Sequence, residues 1–326
     1  MPLGRSSRVR RRAAAMLLAA SAGGLIGAAP STLSLPDRAY PESATSTADG
    51  TIYVGNMANS GIVRIRNGKA DPFVAPGAFG LRSVYGVLAD TRAGLLWACS
   101  NDLSGEGMTS QGDAGTAVKA FDLRTGEGRL SLRFPGDGSG TCSDFAVAAD
   151  GTLYVTDLRH AHVLRLRKGA KALEVWFSDS RLFKADEGPD GLAFGDDGNL
   201  YLNRYVRARD ARENVFFRIA IKGGRPAGLV ALTANAPFPG ADGMRHERGN
   251  SFIVVSGEAG TLSRVTMTRD RALVQTLRTG LAEPAGVAIV GRTAWVTEMQ
   301  FSSLYGPKEQ RKPVAPFKLQ GVSLGR

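Results

Sequence analysis

One pattern recurs along this chain of 326 residues: a glycine-containing turn followed by a short strand with a bulky or aromatic residue among apolar ones. Its six copies occupy residues 49–54, 92–98, 150–155, 197–202, 248–254 and 291–296. Three of the copies open with the dipeptide Asp-Gly. A turn of this kind between two apolar runs is a β-hairpin signal. The sequence therefore predicts six hairpins spread over the whole chain.

A second short phrase precedes each hairpin at a near-constant distance. Its central residues are Glu42, Tyr85, Asp144, Asp190, Asp242 and Ala285. In all six copies the central residue of the following strand comes 10 to 12 residues later. A third strand follows, with a basic residue between apolar ones in most copies, and a fourth, outer strand fits after it. Units of about 45 residues with four short antiparallel strands are typical of propeller blades.

We therefore predict an all-β fold, a six-bladed β-propeller of four-stranded antiparallel blades around a central channel. The 41 glycines fit the many turns that such a fold needs. Two β-sandwich domains are the alternative, but no linker-like break interrupts the pattern. Ring closure is expected to use residues 31–35, residues 316–324 or both. The repeat pattern is weakest in the sixth unit, because the prolines in 307–316 interrupt its outer half. The predicted blades lie near residues 41–80, 81–135, 141–180, 187–235, 239–280 and 283–324, in one domain of residues 30–326.

The first 29 residues have the layout of an export signal. Five arginines in residues 5–12 precede an apolar run, 13–29, that ends in small residues. This order is typical of a cleaved signal peptide of the general secretory type, with a twin-arginine signal as the alternative. An uncleaved anchor is the alternative, but the run is short for a membrane span. We expect a periplasmic or secreted protein without a stable membrane span.

Net charge and cysteine content exclude two classes of protein. The formal charge of +11 falls to 11 − 5 = +6 without the signal, and no dense basic stripe remains. We therefore expect no nucleic-acid partner. Two cysteines, Cys99 and Cys142, are too few for a disulfide-dense scaffold or a cysteine-built zinc site. Neighbouring blades would bring them close together, so a disulfide and two free buried thiols both stay open.

Four of the six central residues are carboxylates: Glu42, Asp144, Asp190 and Asp242. The first strand of each blade lines the channel of a propeller, so these residues would form a ring at one end of it. Four like charges in a narrow channel repel one another unless a cation lies among them. Oxygen ligands on separate strands suit Ca²⁺ better than Mg²⁺. The alternatives are pairing with basic side chains and simple hydration.

The phrases Pro-Asp-Gly-Leu at 189–192 and Ala-Asp-Gly-Met at 241–244, with Glu42 after a proline, carry a resemblance. Over residues 38–300 the chain resembles the senescence marker protein/gluconolactonase/regucalcin-like six-bladed propeller family. The resemblance implies a channel-bound divalent cation, usually calcium, with ligands at Glu42, Asp144, Asp190 and Asp242. It implies Asp242, or else Asp190, as the base or nucleophile that hydrolyses a lactone or related ester.

Two departures from the family pattern affect that implication. Asp144 and Asp190 stand where relatives usually have asparagine. Four acids then carry −4 against +2 from a metal ion. One acid stays protonated, a nearby cation compensates, or the metal preference changes. A non-catalytic binding propeller, with a structural metal or none, is therefore the alternative function.

Other residues are expected around the channel mouth. Tyr85, Asn101, Arg204 and Glu298 are the predicted contacts of a small-molecule substrate, with Arg207 and Arg209 as further cations. The glycine-rich loop 101–115 is either a lid or a plain surface excursion. We expect a monomer.

The three histidines receive no catalytic role from the sequence. His160 and His162 lie at the start of a third strand, which favours surface or inter-strand packing, and His246 falls in a turn at the far end of the channel. Three histidines also argue against a histidine-rich zinc site.

Overall fold

The computed structural model describes residues 32–106, 108, 111–185, 187–207 and 215–325. The predicted export signal, 1–29, lies outside these residues, as does Arg209. None of the helices in the described ranges is long and apolar enough to cross a membrane.

The described chain is nearly all β-structure. It begins with strand β1 (Thr32–Ser34). The first unit contains β2 (Pro41–Ser46), β3 (Ile52–Asn56), β4 (Ile62–Arg66) and β5 (Lys69–Val74). The second contains β6 (Ser83–Asp90), β7 (Leu95–Asn101), β8 (Ala117–Asp122) and β9 (Gly128–Arg133). The third contains β10 (Cys142–Val147), β11 (Leu153–Asp157), β12 (His162–Leu166) and β13 (Glu174–Ser178).

The second half repeats the same plan. The fourth unit contains β14 (Pro189–Phe194), β15 (Leu200–Arg204), β16 (Phe216–Lys222) and β17 (Arg225–Ala234). The fifth contains β18 (Ala241–Arg248), β19 (Ser251–Ser256), β20 (Thr261–Met267) and β21 (Arg271–Arg278). The last strands are β22 (Pro284–Val290), β23 (Thr293–Glu298) and β24 (Lys318–Ser323). The helices are short: α1 (Ser302–Tyr305) and 3₁₀ turns at Ala78–Gly80, Ser104–Glu106, Ser180–Leu182 and Lys308–Gln310.

Within each unit the strands pair antiparallel in chain order. The outer strands β17 and β21 of the fourth and fifth units also share a short parallel pairing, at Thr233–Arg271 and Ala234–Ala272. The inner strands β2, β6, β10, β14, β18 and β22 each contact the next, and β22 contacts β2. Four-stranded antiparallel sheets arranged around a channel confirm the predicted propeller fold.

Both chain ends close the ring. β1 pairs with β24, and β24 pairs with β23, so the N-terminal segment supplies the outer strand of the last sheet. The proline-containing segment that weakened the sixth unit in the sequence lies between its second and third strands. It follows α1 and carries the last 3₁₀ turn, and the sheet continues beyond it at β24.

The hydrophobic core is divided among the contacts between neighbouring sheets. The described residues form six apolar clusters, and each one consists mainly of residues from two adjacent units. The cluster between the second and third units contains Trp97, Phe145 and Leu164, together with Cys99 and Cys142. These cysteines form a disulfide with a Cα–Cα distance of 5.2 Å. The structure thus decides the cysteine alternative in favour of a bond between the two sheets.

Four glycines explain part of the recurring phrase. A Cβ atom added at these positions would lie only 2.2 to 2.7 Å from a backbone oxygen of the next inner strand. The glycines are Gly86, Gly191, Gly243 and Gly286. Each follows the central residue of its unit, so glycine there permits the close approach of neighbouring inner strands around the channel.

Candidate functional site

A pocket of about 250 Å³ opens at the end of the channel where the inner strands begin. Every inner strand contributes to its lining, through Glu42, Tyr85, Ser143, Asp190, Asp242 and the pair Pro284–Ala285. Side chains from connecting segments complete its rim, namely Met57, Leu158, Tyr205, Arg207, Glu258, Glu283, Met299 and Phe301. The structure therefore brings three of the four predicted ligands, and Tyr85, into one pocket.

A β-bulge sets the direction of these side chains. In every unit the pairing between the first and second strands shifts register across the central residue. The shift spans Pro41–Ala44 in the first unit and Pro189–Leu192 in the fourth. A bulge interrupts the regular alternation of faces and re-aims a side chain.

Buried polar side chains on the second strands hold the bulges in place. Asn203 accepts a hydrogen bond from the Gly191 amide at 3.2 Å and donates one to the Asp242 carbonyl, in the next unit, at 2.7 Å. Thr156 links the Asp144 amide to the Asp190 carbonyl in the same way, at 3.0 and 2.6 Å. Each bridge fixes the backbone of a pocket acid from the neighbouring sheet.

The pocket acids have raised pKa values. Burial, and then the nearby Asp190 and Asp144 charges, raise the pKa of Glu42 well above its usual range. Burial and the charges of Asp190 and Glu42 do the same for Asp242. Burial raises the pKa of Asp190 to about 7, although the Ser143 hydroxyl donates a hydrogen bond to its carboxylate. The acids therefore favour the protonated form in the absence of a cation.

This shift predicts a pH dependence of stability for the metal-free protein. Between about pH 4 and 7 the folded chain keeps a proton on Asp190 that the unfolded chain has released, so stability falls as pH rises through that window. From pH 5.5 to pH 8 we expect Asp190 by itself to contribute a loss of about 2 kcal/mol, because each unit between pH 5.5 and 7 is worth about 1.4 kcal/mol. Urea unfolding in chelator measures it. The variant Asp190→Asn should reduce the difference, and the raised pKa values of Glu42 and Asp242 should account for the part that remains. Equal stability of the unchanged protein at both pH values would contradict the shift.

Asp144 has a different partner from the one that the sequence predicts. Its Oδ2 accepts a hydrogen bond from Arg245 at 2.6 Å, and its Oδ1 accepts one from the Phe145 amide at 2.9 Å. It does not line the pocket. Pairing with a basic side chain, an alternative at the sequence level, thus applies to this one acid. The role of Asp144 as a metal ligand stays a prediction, and its contacts favour a site of three acids.

Arg245 is the functional residue that sequence reasoning missed. It extends from β18 into the channel and donates hydrogen bonds to atoms of three other inner strands. The acceptors are Asp144 Oδ2, Met244 O, Val87 O, Ser43 Oγ and Ala44 O, at 2.6 to 3.2 Å. One feature of the sequence could have indicated it. On the first strand of each unit, one residue pairs with the central residue of the second strand; these six residues are Thr45, Leu88, Ala146, Ala193, Arg245 and Ala288. Arg245 is the single charged residue among them.

Three residues that the sequence predicts as substrate contacts do not line the pocket. Their side chains form hydrogen bonds or ion pairs with other parts of the protein. Asn101 exchanges two hydrogen bonds with the Cys142 backbone, at 2.8 and 2.9 Å. Arg204 is buried and donates to the Arg181 carbonyl. Glu298 accepts from the Ala282 amide and pairs with Lys318 at 3.1 Å. Each of the three residues ends a second strand on the face of the propeller where the pocket opens. Its side chain, however, bonds to a neighbouring segment of the chain.

Other predicted mouth residues divide between the pocket and its surroundings. Arg207 lines the pocket. No described residue of loop 101–115 does so, and Asp102 in that loop accepts a hydrogen bond from the Gly115 amide at 2.9 Å. His246 lines a separate cavity of about 520 Å³ at the opposite end of the channel, as the sequence placed it.

The donor chemistry of the three pocket acids suits a hard cation. Among the described residues, none donates a hydrogen bond to the Glu42 carboxylate, and Asp242 receives one at Oδ1 from its neighbour Gly243. Asp190 also receives one, from Ser143. Several acceptor oxygens thus face the pocket without a donor. In the described ranges the acids do not bring one oxygen each within 4.8 Å of the others. Ca²⁺ at 2.3–2.6 Å from its ligands would therefore need side-chain rotation or bridging waters.

Solved structures of other proteins share this architecture. A gluconolactonase from Xanthomonas campestris matches with a TM-score of 0.63 and 18% identity over 90% of each chain. The calcium-binding protein regucalcin from Agrobacterium tumefaciens matches with a TM-score of 0.62 and 16% identity, over 91% of this chain and 95% of regucalcin. Virginiamycin B lyase from Staphylococcus aureus matches with a TM-score of 0.56 and 17% identity, over 86% of this chain and 79% of the lyase.

Sequence comparison adds nothing to these likenesses, since no family model and no curated protein matches the chain. At identities below 20% a structural likeness carries the fold and not the activity. The chain therefore has the propeller fold that a gluconolactonase, regucalcin and virginiamycin B lyase share.

Proposed function

We propose that this protein is a metal-dependent hydrolase of a lactone or related ester, similar to the gluconolactonases. One observation carries the proposal: Glu42, Asp190 and Asp242 converge from three inner strands on one pocket, each with a raised pKa and with unfilled acceptor oxygens. Carboxyl groups with perturbed pKa values in a cleft are typical of functional sites. The gluconolactonase and regucalcin likenesses support the same chemistry.

Glu42, Asp190 and Asp242 would hold a divalent cation, most naturally Ca²⁺. When bound, such a cation supplies a Lewis acid for the carbonyl oxygen of the substrate. Arg245 neutralises Asp144 beneath the site, so the excess of negative charge expected from the sequence is reduced by one. A positive charge among the remaining acids would also favour their ionised forms.

Asp242 is the best placed base. Its Oδ1 is held by the Gly243 amide at 2.8 Å, which leaves Oδ2 to take a proton from a water molecule as that water attacks the carbonyl. The C–O bond between the carbonyl carbon and the ring oxygen then breaks, the leaving alkoxide takes the proton from Asp242, and a hydroxy acid results. Asp190 is the second candidate for this role. Tyr85 and Arg207 can orient substrate oxygens from the rim.

The Cys99–Cys142 bond supports the proposed location outside the cytoplasm. Structural disulfides persist in oxidising compartments such as the periplasm and are rare in the cytosol. Together with the arginine-rich, apolar N-terminus, it favours a periplasmic or secreted protein that acts on a small molecule there.

A panel of lactones, esters and phosphotriesters tests the proposal. We expect calcium-dependent turnover of at least one lactone or ester, abolished by chelator and reduced at least about 100-fold in Glu42→Gln, which keeps the size of the side chain. Product analysis must show addition of water, because a lyase shares the fold. Tight calcium binding without turnover of any substrate would refute the hydrolase.

The alternative is a binding propeller without catalysis. The apolar part of the pocket favours it: Met57, Leu158, Met299 and Phe301 line one cavity with the acids, and Phe301 is 47% exposed. Such a wall suits a partly hydrophobic ligand. Binding of unreacted substrates in the panel, with no product over many hours, would identify this function.

A further inference from the structure

A second cluster of ligand atoms lies outside the channel. Asp157 ends β11, His160 lies in the turn that follows, and His162 begins β12. Each side chain offers one ligand atom, and the three atoms lie within 4.8 Å of one another. Among the described residues no other group of three histidine, cysteine, aspartate or glutamate side chains is so compact. The position of both histidines at the start of a third strand had favoured packing, and the turn places Asp157 beside them.

The carboxylate of the cluster is held in a fixed direction. Asp157 is buried, and its Oδ1 accepts hydrogen bonds from the Thr141 amide at 3.0 Å and the Arg159 amide at 3.2 Å. Its Oδ2 is left to face the histidines, 2.8 Å from His160 Nδ1. Backbone donors on one oxygen therefore orient the other toward a ligand, as hydrogen bonds around metal-binding carboxylates do.

The two imidazoles are also arranged side by side. Their ring centroids are 5.6 Å apart with an interplanar angle of 29°. The backbone of the turn fixes this spacing, since the His162 amide donates to the His160 carbonyl at 2.8 Å and the His160 amide donates to the Asp157 carbonyl at 3.2 Å. The His160 side chain is 43% exposed, so an ion can reach the cluster from solvent.

We propose that Asp157, His160 and His162 bind a divalent transition-metal ion of the Zn²⁺, Co²⁺ and Ni²⁺ class. Two neutral imidazole nitrogens and one carboxylate oxygen suit these ions, whereas Ca²⁺ takes oxygen ligands. Three protein ligands leave a fourth position for water. The site is separate from the channel acids, and its ion would link the end of β11 to the start of β12. Leu158, which follows Asp157, lines the central pocket, so the ion would stiffen part of its rim.

Zinc titration of the untagged full chain tests the proposal, with Ca²⁺ in excess to occupy the channel acids. We expect one equivalent of Zn²⁺ to bind, and at least about 100-fold weaker binding in His160→Ala and His162→Ala. The third histidine provides the matched control. His246 lies at the other end of the channel, so the variant His246→Ala should bind zinc like the unchanged protein. Circular dichroism of each variant separates lost ligands from lost fold.

Cobalt spectroscopy distinguishes the cluster from the channel. Co²⁺ bound to imidazole nitrogen should give visible absorption bands that persist in Glu42→Gln and disappear in His162→Ala. The conservative change Asp157→Asn should weaken binding and keep the fold, since the amide oxygen can still accept from Thr141 and Arg159. Zinc binding or cobalt bands that are unchanged in both histidine variants would overturn the proposal, as would the absence of zinc binding at 100-micromolar protein.

Discussion

Replacing Arg245 by methionine is expected to lower the free energy of unfolding by about 3–5 kcal/mol, the usual loss when one partner of a buried ion pair is removed. The Arg245 side chain is 12% exposed and that of Asp144 is 5% exposed. Methionine fills much of the same volume but offers no donor. Asp144 would keep a buried charge without its counter-ion.

The loss extends beyond the ion pair because Arg245 joins several sheets. It bonds to the Val87 and Ala44 carbonyls and to the Ser43 hydroxyl, on two inner strands besides that of Asp144. These acceptors lie on the first and second units, whereas Arg245 belongs to the fifth. Each buried acceptor left without a donor adds to the loss. Arg245 thus links four inner strands by hydrogen bonds across the channel.

Urea unfolding of three variants measures how much the Arg245 contacts contribute to the free energy of unfolding. The double variant Arg245→Met/Asp144→Asn should recover part of the stability, because it removes the uncompensated charge. Arg129→Met is the matched control: its ion pair with Asp122 is solvent-exposed, with 49% of the arginine side chain accessible, and should contribute at most about 1 kcal/mol. A loss below 1 kcal/mol in Arg245→Met would show that the channel contacts contribute little.

Replacing Asp242 by asparagine is expected to lower kcat/KM for the best lactone at least about 1,000-fold. The amide keeps the shape and the acceptor for the Gly243 amide but cannot take a proton from water, and general-base catalysis typically contributes 100- to 10,000-fold. It also removes one negative charge from the pocket. The loss should therefore fall on kcat at saturating calcium, with a weaker calcium affinity in addition.

Calcium titration and kinetics separate these two effects. Calorimetry gives the calcium affinity of Asp242→Asn, and turnover is then measured at calcium well above that value. Asp71→Asn is the matched control, because Asp71 pairs with Arg64 on the outer strands of the first unit, away from the pocket. Activity of Asp242→Asn within 10-fold of the unchanged protein at saturating calcium would assign the base elsewhere, with Asp190 the next residue to test.

Much of this architecture could be read from local patterns. Hairpin turns, strand alternation and the spacing of Glu42, Asp190 and Asp242 are properties of neighbouring residues, and they predicted the sheets and the acids at the start of the inner strands. The disulfide could be posed only as an alternative, because 43 residues separate the two cysteines and their approach depends on how adjacent sheets pack. The hydrogen-bond partners of Asn101, Arg204 and Glu298 could not be predicted, because a strand position gives a face of the propeller and not the partner of a side chain.

Short-range spacing alone predicts the period of the chain, the propeller fold and the acidic residues at the start of the inner strands. Which of these acids face the pocket depends on contacts between distant strands. Arg245 and Asp144 are 101 residues apart, and only the closed ring of inner strands brings them together. The same closure leaves Glu42, Asp190 and Asp242 with raised pKa values in a common pocket, and the turn after β11 brings Asp157 to two histidines. Electrostatic partners are set by distance through space, which the order of residues does not record.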